Sequence, residues 1–204
     1  MSAPLEVAVV GATGFLGGEV LRLLANHPQV KVAYLGGASS AGRRLGELRP
    51  GFGQSGLGAL MVEPADAEAI AERCQLAFLA LPHGESAALT RELLPRGTKV
   101  IDLGSDFRLR DPADYPRYYR REHPCPELLS EAFYGLPELT GAPPAGCRLV
   151  ANPGCFATAL AVALAPLAPF LDSAARVAIS GVTGSSGSGV GLSPRVHHSL
   201  RTSN

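Results

Sequence analysis

The sequence predicts an α/β fold built on a doubly wound parallel sheet. Two observations carry that expectation. Short apolar runs of strand length alternate with segments of helical spacing from the N-terminus onward, and the first strand-to-helix junction is rich in glycine. Such alternation lays parallel strands side by side, with the intervening helices covering both faces of the sheet. No internal repeat interrupts it.

The elements follow in order. LEVAVVG (5–11) has the unbroken apolar character of a strand buried on both faces. In the next segment, GFLGGEVLRLLANHP, Val20, Leu23, Leu24 and His27 keep helical spacing. KVAYLGG (31–37) is a second strand, a helix runs over Asp66 to Cys74, LAFLAL (76–81) is a strand, and a helix spans Glu85 to Leu94. KVIDLG (99–104) is the next strand. From Arg110 to Gly146 the rhythm breaks, with prolines at 112, 116, 124, 126, 137, 143 and 144, which predicts a long ordered excursion over the surface or the cleft. RLVA (148–151) resumes as a strand, a helix follows Cys155, and ARVAISGV (175–182) reads as another strand. The tail TGSSGSGVGLSPRVHHSLRTSN is rich in glycine and serine and brings no closing element. The expected organisation is a doubly wound domain over 1–151 and the beginning of a second domain over 152–204.

Composition narrows the function classes. Lys+Arg and Asp+Glu both number 18, so there is no net charge to grip nucleic acid or an anionic membrane. A hydrophobic content of 46%, with 24 glycines and 17 prolines, fits a compact protein with many turns. The N-terminus lacks the basic segment of a signal peptide, and the longest apolar run, around Ala157 to Leu171, is broken by Pro166 and Pro169. The four cysteines, Cys74, Cys125, Cys147 and Cys155, form no C-x-x-C pair and no zinc spacing with histidine. A reducing, cytoplasmic setting follows as the expectation, with no metal.

VAVVGATGFLGGEV sets Gly11, Gly14 and Gly17 at three-residue intervals where the first strand turns into the first helix. Glycines there permit the tight turn, and the open N–H groups of the helix start receive a pyrophosphate. This is the mark of a Rossmann-type nucleotide-binding sheet, and it nominates Gly11, Thr13, Gly14, Phe15 and Leu16 as cofactor contacts. An NAD-preferring site carries an acidic residue at the end of the second strand. KVAYLGGASSAGRRLGEL has none there and offers Ser39, Ser40, Arg43 and Arg44 instead. Hydroxyls with a guanidinium suit a 2′-phosphate, so the expected cofactor is NADP(H).

Asn152-Pro153-Gly154 makes a sharp turn into the helix that Cys155 opens. Free N–H groups and the helix dipole at such a position favour the thiolate, which can attack a carbonyl, and the same N–H groups can receive the oxyanion. Position alone leaves a second reading open, since cysteines are often small buried hydrophobes. Cys74 and Cys147 read that way, and Cys125 is undecided.

GATGFLGGEVLRLLANHP, the serine–arginine loop, FLALPHGES, VIDLGSDFRL, YGLPEL and NPGCFATA occur in one order, over nearly the whole chain. In this the sequence resembles the N-acetyl-γ-glutamyl-phosphate reductases, within the aspartate-semialdehyde dehydrogenase superfamily. The resemblance implies that Cys155 is the nucleophile that displaces phosphate from an acyl phosphate, giving a thioester that NADPH reduces to an aldehyde. It implies an α+β catalytic and dimerisation domain beginning near Cys155, and a homo-oligomer, dimer or tetramer. Arg108 of SDFR matches the arginine near the substrate phosphate, with a surface ion pair as its bland alternative. Pro82 and His83, past the strand LAFLAL, stand where the nicotinamide side would be lined. Asn152 and, in GVTGSSGSG, Ser185 and Ser186 fall beside the substrate, a flexible turn being the alternative for that loop.

Two departures accompany the resemblance. The family's catalytic histidine belongs to a motif downstream of the substrate loop that this sequence does not reach, so none of His27, His83, His123, His197 and His198 is given the acid–base role. The loop GVTGSSGSGVGLSPRVHHSLR is also closer to that of the lysine-pathway aminoadipyl-phosphate reductases, which leaves glutamyl and aminoadipyl substrates open, acetylated or carrier-bound. An aspartyl-phosphate reductase and a non-catalytic NADP-binding regulatory module are the remaining alternatives. Short-chain dehydrogenases share the GATGFLG opening but need Tyr-x-x-x-Lys, and neither Lys31 nor Lys99 lies four residues after a tyrosine.

Overall fold

The computed structural model describes residues 3–172 and 174–188. Seven strands form one sheet in the order β3-β2-β1-β4-β5-β7-β6, every neighbouring pair parallel. The strands are β1 (Leu5–Val10), β2 (Val30–Gly36), β3 (Val62–Glu63), β4 (Leu76–Leu79), β5 (Lys99–Asp102), β6 (Ala132–Tyr134) and β7 (Leu149–Ala151). The helices between them are α1 (Phe15–Leu24), α2 (Leu45–Leu48), α3 (Ala67–Arg73), α4 (Ser86–Leu93), α5 (Asp114–Tyr119) and α6 (Pro137–Thr140), with α7 (Cys155–Leu164) after β7.

The pleat explains the two cores. Alternate residues of a strand face opposite sides, so Val7 and Val9 of β1 join Leu21 of α1 and Leu45 of α2 on one face. Ala8 and Val10 join Ile70 of α3 and Leu89 and Leu93 of α4 on the other. Strand order reverses at β1, with β2 on one side and β4 on the other, and a crevice opens above the carboxyl ends at such a switch point.

Three expectations need correction. In α1 Val20 and Leu24 pack on the core as the spacing predicts, around a fully buried Leu21, while Leu23 is 63% exposed and His27 lies past the helix end. The excursion over 110–146 is ordered but does not stay on the surface. It contributes the edge strand β6 and buries Tyr115, Cys125, Leu128 and Leu129 in the main core. The segment 175–182 forms no strand: it pairs with none of the described strands and its side chains stay exposed, with Val182 97% exposed.

Candidate active site

The carboxyl edge of the sheet carries the chemistry-bearing residues, beginning at the glycine turn. Gly11 has φ +82°, and a β-carbon there would stand 2.2 Å from the Ala80 carbonyl oxygen, so only glycine fits. A β-carbon on Gly17 would meet the Gly11 carbonyl oxygen at 2.1 Å, which is what lets α1 pack down on the turn. Gly14 is the N-cap of α1 and no side chain caps the helix, so its first-turn N–H groups are open to an anion. Phe15 and Leu16, in that turn, are exposed.

The loop after β2 closes onto the same turn. Ser40 is buried, and the Thr13 hydroxyl lies 3.3 Å from its Oγ. Ser39, Arg43 and Arg44 are exposed beside it, and Arg43 makes only a long, exposed ion pair with Glu47 at 3.8 Å. No carboxylate is bonded to Ser39 or Ser40 among the described residues. Turn, hydroxyls and guanidinium together fit a dinucleotide with a 2′-phosphate.

Cys155 is the first residue of α7, with Gly154 as N-cap and no side-chain cap, and it is exposed. The loop before it is tied to β5. The Asn152 N–H donates to the Asp102 carbonyl at 2.8 Å. Arg108 donates from Nε to the Asn152 carbonyl at 2.8 Å and from Nη2 to the Leu103 carbonyl at 3.0 Å. A β-carbon on Gly154 would lie 3.2 Å from Arg108 Nη1. The guanidinium thus lies against the N-cap of the helix that bears the thiol, and it is anchored by main-chain carbonyls instead of a surface ion pair. The Asn152 side chain is half-buried and donates to the Pro153 carbonyl at 3.1 Å. The glycine–serine loop also comes close, because Gly181 packs on the ring of Phe156, 2.7 Å from where its β-carbon would be. Ser186 is exposed; the side chain of Ser185, and His197 and His198, lie outside the described residues.

Pro82 and His83 are exposed past β4, and the His83 ring stands 6.0 Å from that of Tyr119. Cys74 and Cys125 are buried and Cys147 half-buried, so Cys155 is the exposed thiol among the described cysteines. Burial pushes the Cys74 thiol up to about 11 and raises that of Cys125 as well.

Sequence reasoning missed the scaffold beneath these residues. Asp106, fully buried, accepts from the N–H groups of Gly84, Ser86 and Ala87 at 2.7, 3.0 and 3.0 Å, holding the start of α4. Its other partner is Arg121, at 2.7 Å, from the proline-rich excursion. The Asp106 carbonyl in turn receives the Tyr115 hydroxyl at 2.6 Å and His123 Nε2 at 2.6 Å. The Cys125 N–H donates to His123 Nδ1, which places the ring proton on Nε2 and gives this histidine a structural role. Asp102 is buried under the thiol loop. Burial pushes its carboxyl up to about 6, against the opposing pull of the Ser86 hydroxyl and the Gly104 N–H. That hydroxyl stops short of hydrogen-bond geometry, since Asp102 Oδ2 and Ser86 Oγ, like Ser105 Oγ, have no partner. The aspartate of SDFR, two residues before Arg108, was the one signal that pointed here.

A doubly wound sheet with a nucleotide-type glycine turn at one point of its carboxyl edge and an exposed thiol at another defines an α/β dinucleotide-binding protein. Residues 6–143 match the semialdehyde dehydrogenase NAD-binding domain, and the chain belongs to that family. Among curated relatives it is 43% identical, over 91% of its length and 53% of theirs, to an N-acetyl-gamma-glutamyl-phosphate reductase of Alkalilimnicola ehrlichii. It is 40% identical, over 92% and 53%, to a putative [LysW]-L-2-aminoadipate/[LysW]-L-glutamate phosphate reductase of Cenarchaeum symbiosum. Among solved structures, a probable aspartate-semialdehyde dehydrogenase of Pseudomonas aeruginosa aligns with TM-score 0.57 at 28% identity, covering 83% of this chain and 43% of that one. The aspartate semialdehyde dehydrogenase II of Vibrio cholerae shares the fold with TM-score 0.58 at 19% identity, over 93% and 49%. The chain spans about half the length of the curated relatives it matches.

Proposed function

We propose that this chain is the nucleotide-binding and thiol-bearing part of an N-acetyl-γ-glutamyl-phosphate reductase, with a doubly wound domain over 1–151 and an α+β catalytic and dimerisation domain from 152. The observation that carries the reading is the exposed Cys155 at an uncapped helix start, with Arg108 anchored against its N-cap. In this reading Cys155 Sγ attacks the acyl carbon of the substrate. The carbon–sulfur bond forms, the oxyanion rests on the open N–H groups of α7, and its collapse breaks the bond to phosphate. Arg108, through the nitrogen facing Gly154, balances the charge of the departing phosphate, and Asn152, Ser185 and Ser186 line the substrate.

Gly11, Thr13, Gly14, Phe15, Leu16, Ser39, Ser40, Arg43 and Pro82 hold NADPH, which supplies hydride to the thioester carbon when bound. Release of the thiolate then frees N-acetylglutamate semialdehyde, a step of arginine biosynthesis, in a cytoplasmic homo-oligomer. The similarity to the Cenarchaeum symbiosum reductase supports a second reading, in which the glutamyl or aminoadipyl phosphate is carrier-bound.

The test follows the half-reaction that ends at sulfur. Incubation with N-acetyl-γ-glutamyl phosphate is expected to acylate Cys155, seen by intact mass, and to release one phosphate per chain. Cys155→Ala is expected to lose the adduct and at least about a thousandfold of any phosphate-dependent turnover, with NADPH binding unchanged. Acylation elsewhere, or phosphate release that survives the substitution, would overturn the reading. Faster acylation by a carrier-bound acyl phosphate would favour the second one.

A further inference from the structure

Among the described residues, two clefts bear on the site. The larger, about 560 Å³, runs along the outer side of α1 between Phe15, Arg49 and Phe52. The smaller, about 280 Å³, opens at the switch point itself, over Val10 at the end of β1 and beside Gly37 and Ala38 at the end of β2. Its opposite wall is a single stripe of α4 and its N-cap, Glu85, Ala88, Leu89 and Glu92, spaced i, i+3, i+4 and i+7. Only small or apolar groups flank the slot between the two walls, with Ala65 and Leu81 completing it. A flat, weakly polar ring fits such a slot, and the hydroxyls of Ser39 and Ser40 continue directly from the Gly37–Ala38 wall.

The two carboxylates on the α4 wall are the unexplained feature. Both residues are exposed, and among the described residues neither carboxylate has a hydrogen bond or ion pair. Nearby Arg96 spends its guanidinium on the main-chain carbonyl of Glu92, at 2.7 Å. Glu85 is two residues from His83, at the end of the crevice nearest the glycine turn, where a dinucleotide's phosphates already bring negative charge. Glu92 stands two helical turns away, about 10 Å along α4. A carboxylate accepts hydrogen bonds and donates none.

We propose that Glu92 accepts a hydrogen bond from the exocyclic 6-amino group of adenine, so that this cleft distinguishes adenine dinucleotides from hypoxanthine ones. The proposal rests on the crevice being the dinucleotide site. Hypoxanthine has an oxygen in place of the amino group, so the carboxylate would meet a second acceptor there, and the analogue could offer its N1–H only by shifting in the slot. A site aligned on the 6-amino N–H disfavours an analogue with an acceptor at that position more than a purely apolar slot does.

The experiment titrates the chain with NADPH and with its deamino (hypoxanthine) analogue, following nicotinamide fluorescence, so no turnover is needed. The expected result is binding of NADPH about tenfold tighter than of the analogue. In Glu92→Gln, whose amide can donate as well as accept, that ratio is expected to collapse to about one, mainly through tighter binding of the analogue. Gain of analogue binding is a readout that misfolding cannot imitate. Equal binding of both nucleotides by the unsubstituted chain would overturn the proposal, as would a ratio that survives Glu92→Gln or one that Glu85→Gln abolishes instead. Failure of both nucleotides to bind would remove the dinucleotide site itself, a different result from any of these.

Discussion

The glycine turn and the thiol helix are both helix starts at the carboxyl edge of one sheet, yet they are built differently. Around α1 every strand finds a neighbour and the helix buries Gly17, Gly18 and Leu21. Helix α7, with the sequence CFATALAVAL, buries none of its ten residues, and Phe170 beyond it is 86% exposed. The first region closes its own core. In the second the loop before Cys155 is fixed, by Arg108 and Asp102, while the helix is covered only in part among the described residues. The position of Cys155 therefore comes from the sheet behind it and not from the helix that carries it.

That contrast can be broken most directly by stability. Leu93→Ala, at a fully buried position of α4, is expected to cost about 3 kcal/mol in a urea melt, whereas Val182→Ala should leave the midpoint where it was. A comparable loss at Val182 would mean that this apolar segment is covered in solution, and the two regions would no longer differ.

The next largest effect concerns the support under the thiol loop. The Asp102 carboxyl is raised from its ordinary 3.8 to about 6 by burial, so the folded chain binds more protons than the unfolded one between those values. Its contribution to stability is full below about pH 4 and is lost as pH rises through about 6. A shift of this size corresponds to about 2–3 kcal/mol. Asp102→Asn is expected to flatten the stability profile across that window, measured by denaturant melts at successive pH values. A profile with the same slope in both proteins would show that the carboxyl is not held in this way.

The smallest effect sharpens the nucleotide side. Arg43 is exposed and only loosely paired, so Arg43→Ala should reduce the preference for NADPH over NADH about fivefold, read as a ratio of dissociation constants, without moving the melting curve. An unchanged ratio would assign the 2′-phosphate to Ser39, Ser40 or Arg44.

Much of this architecture was legible because its signals are local. β1, β2, β4 and β5 announce themselves as apolar runs, the helices between them keep their period, and the glycine spacing marks the turn. β6 did not, since three residues in a proline-rich stretch become a strand only through pairing with β7. The reverse error at 175–182 has the same origin. Alternation such as that of ARVAISGV fits a side chain to a sheet, but a strand also needs an edge to pair with. In the site, Cys155, Arg108 and Asn152 were readable from motifs, and the structure brings the three together. Asp106, Arg121, His123 and Asp102 were not, because their roles arise from contacts between residues 15 to 50 positions apart or from burial, which no spacing rule encodes.

The sheet order also acts as a ruler. The glycine turn leaves from β1 and the thiol from β7, with β4 and β5 lying between them. Neighbouring strands are about 4.8 Å apart, so three intervals set the anchor and the sulfur about 14 Å from each other. If Cys155 holds the substrate carbon as proposed, a cofactor moored by its phosphates at the turn must stretch across two strand ends before its far ring can meet that carbon. On that reading reach, as much as recognition, selects what this edge can use, and a mononucleotide tied at the same mooring falls short.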